Sequence, residues 1–339
     1  LNLSPEDFLP ASKEEKESLV VMRQSVSFWQ DGFRRLLKNK VALASLAVFF
    51  VILILAFIVP IFYPYNYAIQ LKGSERLMPM QYSAGELARI AAGEKVFPHI
   101  LGTDSLGRDY AIRVMMGARI SLIVGLLASF IVLIIGSIYG SVAAFTGGWV
   151  DLIMMRIVDI IYTVPDILLI ILLTFALKKP MKLLASAPGF GWINVLGINL
   201  ISIFIVFALL YWVGMARIVR GQILVLKEQE YVTAARALGA KSGQIIRKHL
   251  LTNTIGTLIV TTTLQIPSAI FTESYLSFLV LGVAVPMPSL GSLASDAITG
   301  LQSYPHLLFA PAILISLIIL SLNLLGDGLR DAFDPKLKN

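Results

Sequence analysis

Long apolar runs alternate with polar segments along most of this chain. Six of them carry few charges: residues 41–61, 120–145, 152–177, 198–219, 255–283 and 307–325. Each is close to or above the ~20 residues that a helix needs to cross the ~30 Å hydrocarbon core of a bilayer. Backbone groups in lipid must be satisfied within the segment, so each run reads as an α-helix. The pattern predicts an all-α, polytopic membrane protein with six transmembrane helices.

The polar segment at 228–254 has a pattern of its own. Helix formers run from Thr233 to Leu238, Gly239 interrupts them, and Ser242 opens a second helical stretch. This predicts a rigid helix–Gly–helix elbow at the membrane surface, suited to docking another protein. The stretch 25–40 places Trp29, Phe33, Leu36 and Leu37 at helical spacing, with Arg34, Arg35 and Lys38 off that stripe. It reads as a helix lying in the membrane interface ahead of the first span.

Basic residues set the orientation. Arg34, Arg35, Lys38 and Lys40 crowd the start of the first span, and Arg220, Lys227, Arg236, Lys241, Arg247 and Lys248 follow the fourth. The loop 284–306 has no Lys or Arg. Both termini and the elbow are therefore expected in the cytoplasm, with 62–119 and 284–306 outside. Arg108, Arg113 and Arg119 argue against this, but long loops translocate largely regardless of charge. The expected organisation is a flexible cytoplasmic tail at 1–24, the interfacial helix and first span at 25–61, and an external region at 62–119. A five-span core at 120–327 follows, carrying the elbow at 228–254, and then a cytoplasmic tail at 328–339. Within the external region a short helix is expected near Ala84–Ala92. Pro286, Pro288 and Gly291 suggest a tight external turn.

Composition narrows the function. The chain is 57% hydrophobic and 14% charged, with a mean hydropathy of +0.80. Its net charge of +7 belongs to inner loops and lipid headgroups rather than to nucleic acid binding. Cysteine is absent, and His99, His249 and His306 are far apart, so thiol chemistry and local metal motifs are excluded. The first forty residues show no apolar run of the signal-peptide type, and Leu1 in place of Met suggests a trimmed start. No phosphate-binding G-x-x-x-x-G-K-[ST] loop occurs, so the chain is not expected to hydrolyse ATP. It is read as a non-enzyme with no metal or bound cofactor.

Ionisable groups inside spans cost ~2.5–3.5 kcal/mol each at a helix centre, so they mark structure or function. Asp159 lies three residues after Arg156 on the same helix face and is expected to pair with it. Asp166 follows Pro165, where it either lines a pathway or caps a broken helix. Glu273 has Thr272 and Ser274 as neighbours, and these three with Asp166 are the candidate translocation-pathway residues. Gly125, Ala128, Ser129, Gly136 and Gly140 in the second run signal close helix packing.

Several motifs together resemble the inner-membrane permease subunits of ABC importers, and more narrowly the second, "C"-type permease of the oligopeptide/dipeptide group. They are FWQDGFRRLLKNKVALASL, the external HILGTDSLGRD followed by GARISL, Met154-Met155-Arg156 with Asp159 and Pro165, ESYLSFL at Glu273, and GDGLRD followed by Asp334-Pro335. The elbow is similar to the EAA loop of such permeases: Ala234, Ala235, Gly239 and Leu251 match, whereas Thr233, His249 and Thr252 depart from its Glu, Ile and Pro.

The resemblance implies a type I importer permease fold in a bacterial cytoplasmic membrane. It also implies a homologous permease partner, two ATPase subunits holding ATP and Mg, and an extracytoplasmic peptide-binding protein. Thr233, Ala234, Ala235, Arg236, Leu238, Gly239, Ala240 and Lys241 would couple to the ATPases. A gradient-driven secondary transporter, or an ABC permease for another solute such as a metal chelate, is the alternative.

Overall fold

The computed structural model describes residues 28–193, 197–283 and 287–333. The tail expected at 1–24, the last six residues and Pro286 lie outside the described residues. Among those described every element is helical, and the β-bridge from Thr103 to Asp109 is isolated.

α1 (Phe28–Lys38) is the expected amphipathic helix. Asn39 ends it and opens α2 (Lys40–Phe62): the Asn39 side chain accepts the N–H groups of Val41 and Ala42 at 3.1 and 3.2 Å. A π-helical turn, Ile54–Ile58, precedes Pro60 in α2. Proline has no N–H, so the carbonyl four residues earlier, on Ala56, loses its helical donor. Arg119 supplies replacements: its Nε donates to the Ala56 carbonyl at 2.8 Å and its Nη2 to that of Phe57 at 3.2 Å.

Residues 63–109 form a folded cap that includes α3 (Ala84–Ala91). α4 (Tyr110–Thr146) then begins well before the expected residue 120, because Asp109 caps it by accepting the Ile112 N–H at 3.0 Å. At ~1.5 Å per residue its 37 residues run for about 55 Å, beyond a ~30 Å bilayer core. α5 (Gly148–Thr163) and α6 (Asp166–Ala185) meet at 90°, so the third span expected at 152–177 is broken at the position where Pro165 signalled a kink. The cause is local: Val164 precedes Pro165 and is driven to extended backbone, ψ 135°.

α7 (Ile198–Leu210) and α8 (Trp212–Leu226) run on as one long span. α9 (Glu230–Ala237) and α10 (Ser242–Ile245), which continues through a π turn at Ile246–Leu250, make the elbow. α11 (Ile255–Phe278), α12 (Leu290–Ile298) and α13 (His306–Phe333) complete the order. Among the described residues, five stretches are long and apolar enough to cross a membrane, and the bent α5–α6 pair brings the number to six if it counts as one span.

α4 is the central post. Its small residues let neighbours approach closely: a Cβ on Gly140 would lie 2.4 Å from the Ala216 carbonyl oxygen of α8, and one on Gly125 2.3 Å from Ile270 of α11. The main core joins α2, α4, α11, α12 and α13 through Ala56, Leu122, Ile270, Leu293 and Ile318.

Two boundaries differ from expectation. Gly291 belongs to helix α12, not to a turn; a Cβ there would lie 2.1 Å from the Ser274 carbonyl oxygen, so its role is close packing on α11. Residues 328–333 are the last turns of α13 rather than a tail, and Phe333 packs on Trp29 of α1 at 5.7 Å between ring centroids. α1, the C-terminal end of α13 and the elbow thus share one end of the molecule, and the cap and α12 share the other.

Candidate functional site

The elbow starts where Gln229, in extended backbone, caps α9, with Glu230 in the first turn. Val232 anchors the helix: it is fully buried with Ala144 of α4, Ile223 of α8 and Ile245 of α10. The end is a Schellman closure. The Gly239 N–H donates to the Arg236 carbonyl at 2.9 Å and the Ala240 N–H to the Ala235 carbonyl at 3.0 Å. Gly239 has φ +81°, the left-handed region where a Cβ is penalised. Leu238 is thereby pushed outward and stands 87% exposed at the tip.

Of the eight coupling candidates, Thr233, Ala234, Arg236, Leu238, Gly239 and Lys241 are exposed. Ala235 and Ala240 are not on that outer face; they pack against the Val232 cluster. The helical period explains this, since Ala235 is one turn after Val232 and shares its face. The Arg236 guanidinium sits over the Phe145 ring at 5.0 Å, and Lys227 Nζ donates to the Ala144 carbonyl at 3.0 Å. Both contacts fasten the elbow to the end of α4.

α8 is tied to α5 by two ion pairs. Arg220 makes a bidentate pair with Asp151, both bonds at 2.6 Å, and Arg217 bonds Asp159 at 2.8 Å. The pairing expected between Asp159 and Arg156 is therefore corrected: the guanidinium of Arg217 takes the carboxylate and also lies over Tyr162, 4.2 Å from the ring centre.

The four pathway candidates separate. Asp166 is exposed at the start of α6 and accepts the Ile167 N–H at 2.8 Å. Thr272, half-buried, bonds the Tyr211 hydroxyl at 2.7 Å. Glu273 and Ser274 point into the protomer, and Glu273 is 0% exposed. Ser121 of α4 donates to one Glu273 oxygen at 2.7 Å and Ser277 to the other at 2.7 Å. Both hydroxyls also accept backbone N–H groups from the segment leading to α12: Leu290 to Ser121 at 3.4 Å and Val283 to Ser277 at 3.1 Å. Placing Glu273 on an open pathway is thus corrected. A buried carboxyl needs saturating partners, and these hydroxyls supply them inside one chain.

Residues 133–339 match the family of binding-protein-dependent transport system inner membrane components, and residues 27–79 match the N-terminal transmembrane domain of oligopeptide transport permease C. The chain belongs to this transport family. It is 39% identical to the oligopeptide transport system permease protein OppC of Bacillus subtilis, over 99% of both chains. It is 42% identical to the dipeptide transport system permease protein DppC of the same organism, over 99% of this chain and 95% of that one. With OppC of Escherichia coli K12 the identity is 35%, over 96% and 98% of the two chains.

For an inner membrane component of this kind, two features of the site were not legible beforehand. The exposure of Leu238 follows from the Schellman geometry, which the helix-former run before Gly239 only partly signals. The Arg217–Asp159 and Arg220–Asp151 pairs join residues far apart in sequence, and their spacing gives no cue.

Proposed function

We propose that this chain is one of two homologous permease subunits of an ATP-driven peptide importer. Its elbow receives an ATPase subunit in the cytoplasm, and its cap end meets an extracytoplasmic binding protein. The observation that carries this is the elbow itself: a helix closed by Gly239 that presents Leu238, Arg236 and Lys241 outward while Val232 roots it beside the end of α4. Motion of the docked ATPase would pass directly into the central post. The peptide cargo is supported by the relatives, which are oligopeptide and dipeptide permeases. The chain itself is non-catalytic, and ATP and Mg belong to the ATPase partners.

The second permease has a face to cover. Trp149, Leu172 and Phe175 on α5 and α6 are 79%, 66% and 71% exposed, an apolar face that a partner helix or lipid can cover. A gradient-driven reading needs an ionisable group open to the pathway, and Glu273, one of its two candidates, is fully buried.

Three measurements test the proposal. The isolated chain in lipid should show no ATP turnover, and robust turnover without added subunits contradicts the reading. Because the chain has no cysteine, Ser242→Cys is a clean topology probe. It should resist an impermeant thiol reagent added from outside; labelling from that side contradicts the orientation. Co-expression with the ATPase subunits should yield a complex whose hydrolysis rises with peptide-loaded binding protein.

A further inference from the structure

His99 in the cap is fully buried and bonded on both ring nitrogens to carboxylates. Its Nδ1 lies 2.7 Å from Asp109 Oδ2 and its Nε2 3.0 Å from Glu86 Oε1. Each carboxylate also caps a helix with its other oxygen. Asp109 Oδ1 accepts the Ile112 N–H at the start of α4, 3.0 Å away, and Glu86 Oε2 accepts the Ser83 N–H at the start of α3, 2.8 Å away. One imidazole therefore joins the N-termini of two helices.

A neutral imidazole has one donor and one acceptor nitrogen. Between two carboxylates its lone pair would face an oxygen lone pair at hydrogen-bond distance. The trio closes both bonds only when it holds a proton that a neutral ring between two ionised carboxylates lacks. Tyr65 stacks on the ring at 4.5 Å, and Tyr63 lies beside it against Phe97.

We propose that His99 is a positioning residue, a proton-held clasp that fixes the cap on α4 and keeps the extracytoplasmic docking face in shape until that side turns alkaline. The docking role rests on the orientation and partners proposed above; the clasp does not.

Electrostatics agrees with the geometry. Burial alone would lower the His99 pKa, but the hydrogen bond to Asp109 and the charges of Glu86 and Asp109 outweigh it and hold the value above its ordinary 6.5. Burial alone would raise Glu86, yet the Ser83 hydrogen bonds and His99 bring it below its ordinary 4.5. For a raised histidine, the stabilisation is complete below 6.5 and is lost as pH rises through the folded value. For the lowered Glu86, it is present above 4.5 and lost as pH falls through its folded value. Arg89 on α3 is occupied by Glu94 at 2.7 Å. Tyr65 is pushed up to about 12, by burial and then by the Glu86 and Asp109 charges. Burial, followed by the Asp109 charge, pushes Tyr63 up as well. Neither phenol therefore titrates ahead of His99.

The chain has only three histidines, so solid-state NMR of nitrogen-labelled histidine in bilayers can follow the ring directly. The His99 signal, identified by its loss in His99→Gln, should show both ring nitrogens protonated at neutral pH and a midpoint above 6.5. Glu86→Gln keeps a capping-box residue at its position but removes one charge. It should move the midpoint down by roughly one to three units, the range for one adjacent opposite charge. Hydrogen exchange of α3 amides, corrected for intrinsic base catalysis, should lose protection across the wild-type midpoint. A ring that is neutral at pH 7, or α3 protection that ignores the midpoint, would overturn the clasp; neither test depends on a partner. In the assembled importer, hydrolysis stimulated by binding protein should have an alkaline limb that follows the His99 midpoint and moves with Glu86→Gln. A limb that stays put overturns the docking role. No stimulation at any pH, with the clasp titrating as described, removes the importer reading and the docking role with it, and leaves the clasp supported.

Discussion

At the cap end, several charged side chains are buried and paired within the chain, although Arg113 Nε and Nη1 and both ring nitrogens of His306 have no hydrogen-bond partner. Arg113 is 1% exposed, with Asp104 at 3.3 Å and Asp296 at 3.9 Å. Arg108 bonds Asp104 at 2.7 Å, His99 sits between Glu86 and Asp109, and Glu273 lies in its ring of serines. At the elbow end the helix tip is held by one buried valine and a glycine closure, and its outer side chains face outward. The difference teaches where each end finds its partners. A buried charge left unmatched costs several kcal/mol, so the cap end depends on the ion pairs it makes within the chain. The elbow roots Val232, Ile245 and Leu250 in the core and leaves Arg236, Leu238 and Lys241 exposed, so its outer side chains are open to another protein.

That contrast breaks most readily at Glu273. Glu273→Ala leaves the Ser121 and Ser277 hydroxyls without their acceptor. At ~1–3 kcal/mol for each buried group left unsatisfied, the loss is roughly 2–6 kcal/mol. Thermal unfolding in detergent should show a large drop and poor recovery, with Glu273→Gln much milder. Unchanged stability in the alanine variant would mean that the buried network is not structural.

Next is Gly291→Val, whose new side chain meets the Ser274 carbonyl oxygen at 2.1 Å. Overpacking of this kind costs about 1–3 kcal/mol. The same unfolding assay should register it, together with increased protease sensitivity of the segment before α12. Gly239→Val at the opposite end should cost roughly 1–2 kcal/mol, because an L-residue must take a left-handed backbone. Its effect should stay local: membrane insertion and the global melt hold near wild type, while co-purification of ATPase subunits falls. If Gly239→Val lowers the global melt as much as Gly291→Val does, the elbow is part of the core and the comparison fails.

The sequence foretold some of this contrast and hid the rest. Apolar run length located every span, and Gly239 with Ser242 located the elbow, because both signals are local. Proline marked the third span as special, yet a 90° break also needed Val164 in extended backbone. The basic residues before the second run pull against the proposed orientation, and the structure gives them another role. Arg113 and Arg119 lie within the first turns of α4, where Arg119 serves the carbonyls freed around Pro60 and Arg113 meets Asp104. Counted as loop charges they argue against the proposed orientation; as groups engaged within the protein they carry little topological weight. The Glu273 network draws on residues 121, 277, 283 and 290, and no spacing rule joins those positions.

The smallest expected effect on stability sharpens the comparison most. Leu238 is 87% exposed, follows the last residue of α9 and buries almost nothing in the chain. Leu238→Ser should therefore change the melt by no more than about 0.5 kcal/mol, the usual range for surface substitutions. If Leu238 is the apolar anchor of an ATPase contact, the same change removes most of a leucine side chain from a buried interface, a loss of about 1.5–3 kcal/mol. That corresponds to roughly a tenfold to hundredfold weaker association. A titration of purified ATPase subunits onto the permease pair in nanodiscs reads the affinity directly, and a parallel melt reads the fold. Weakened association with an unchanged melt identifies a surface made for a partner. Unchanged association would place the contact elsewhere on the elbow, with Arg236 and Lys241 the next residues to vary.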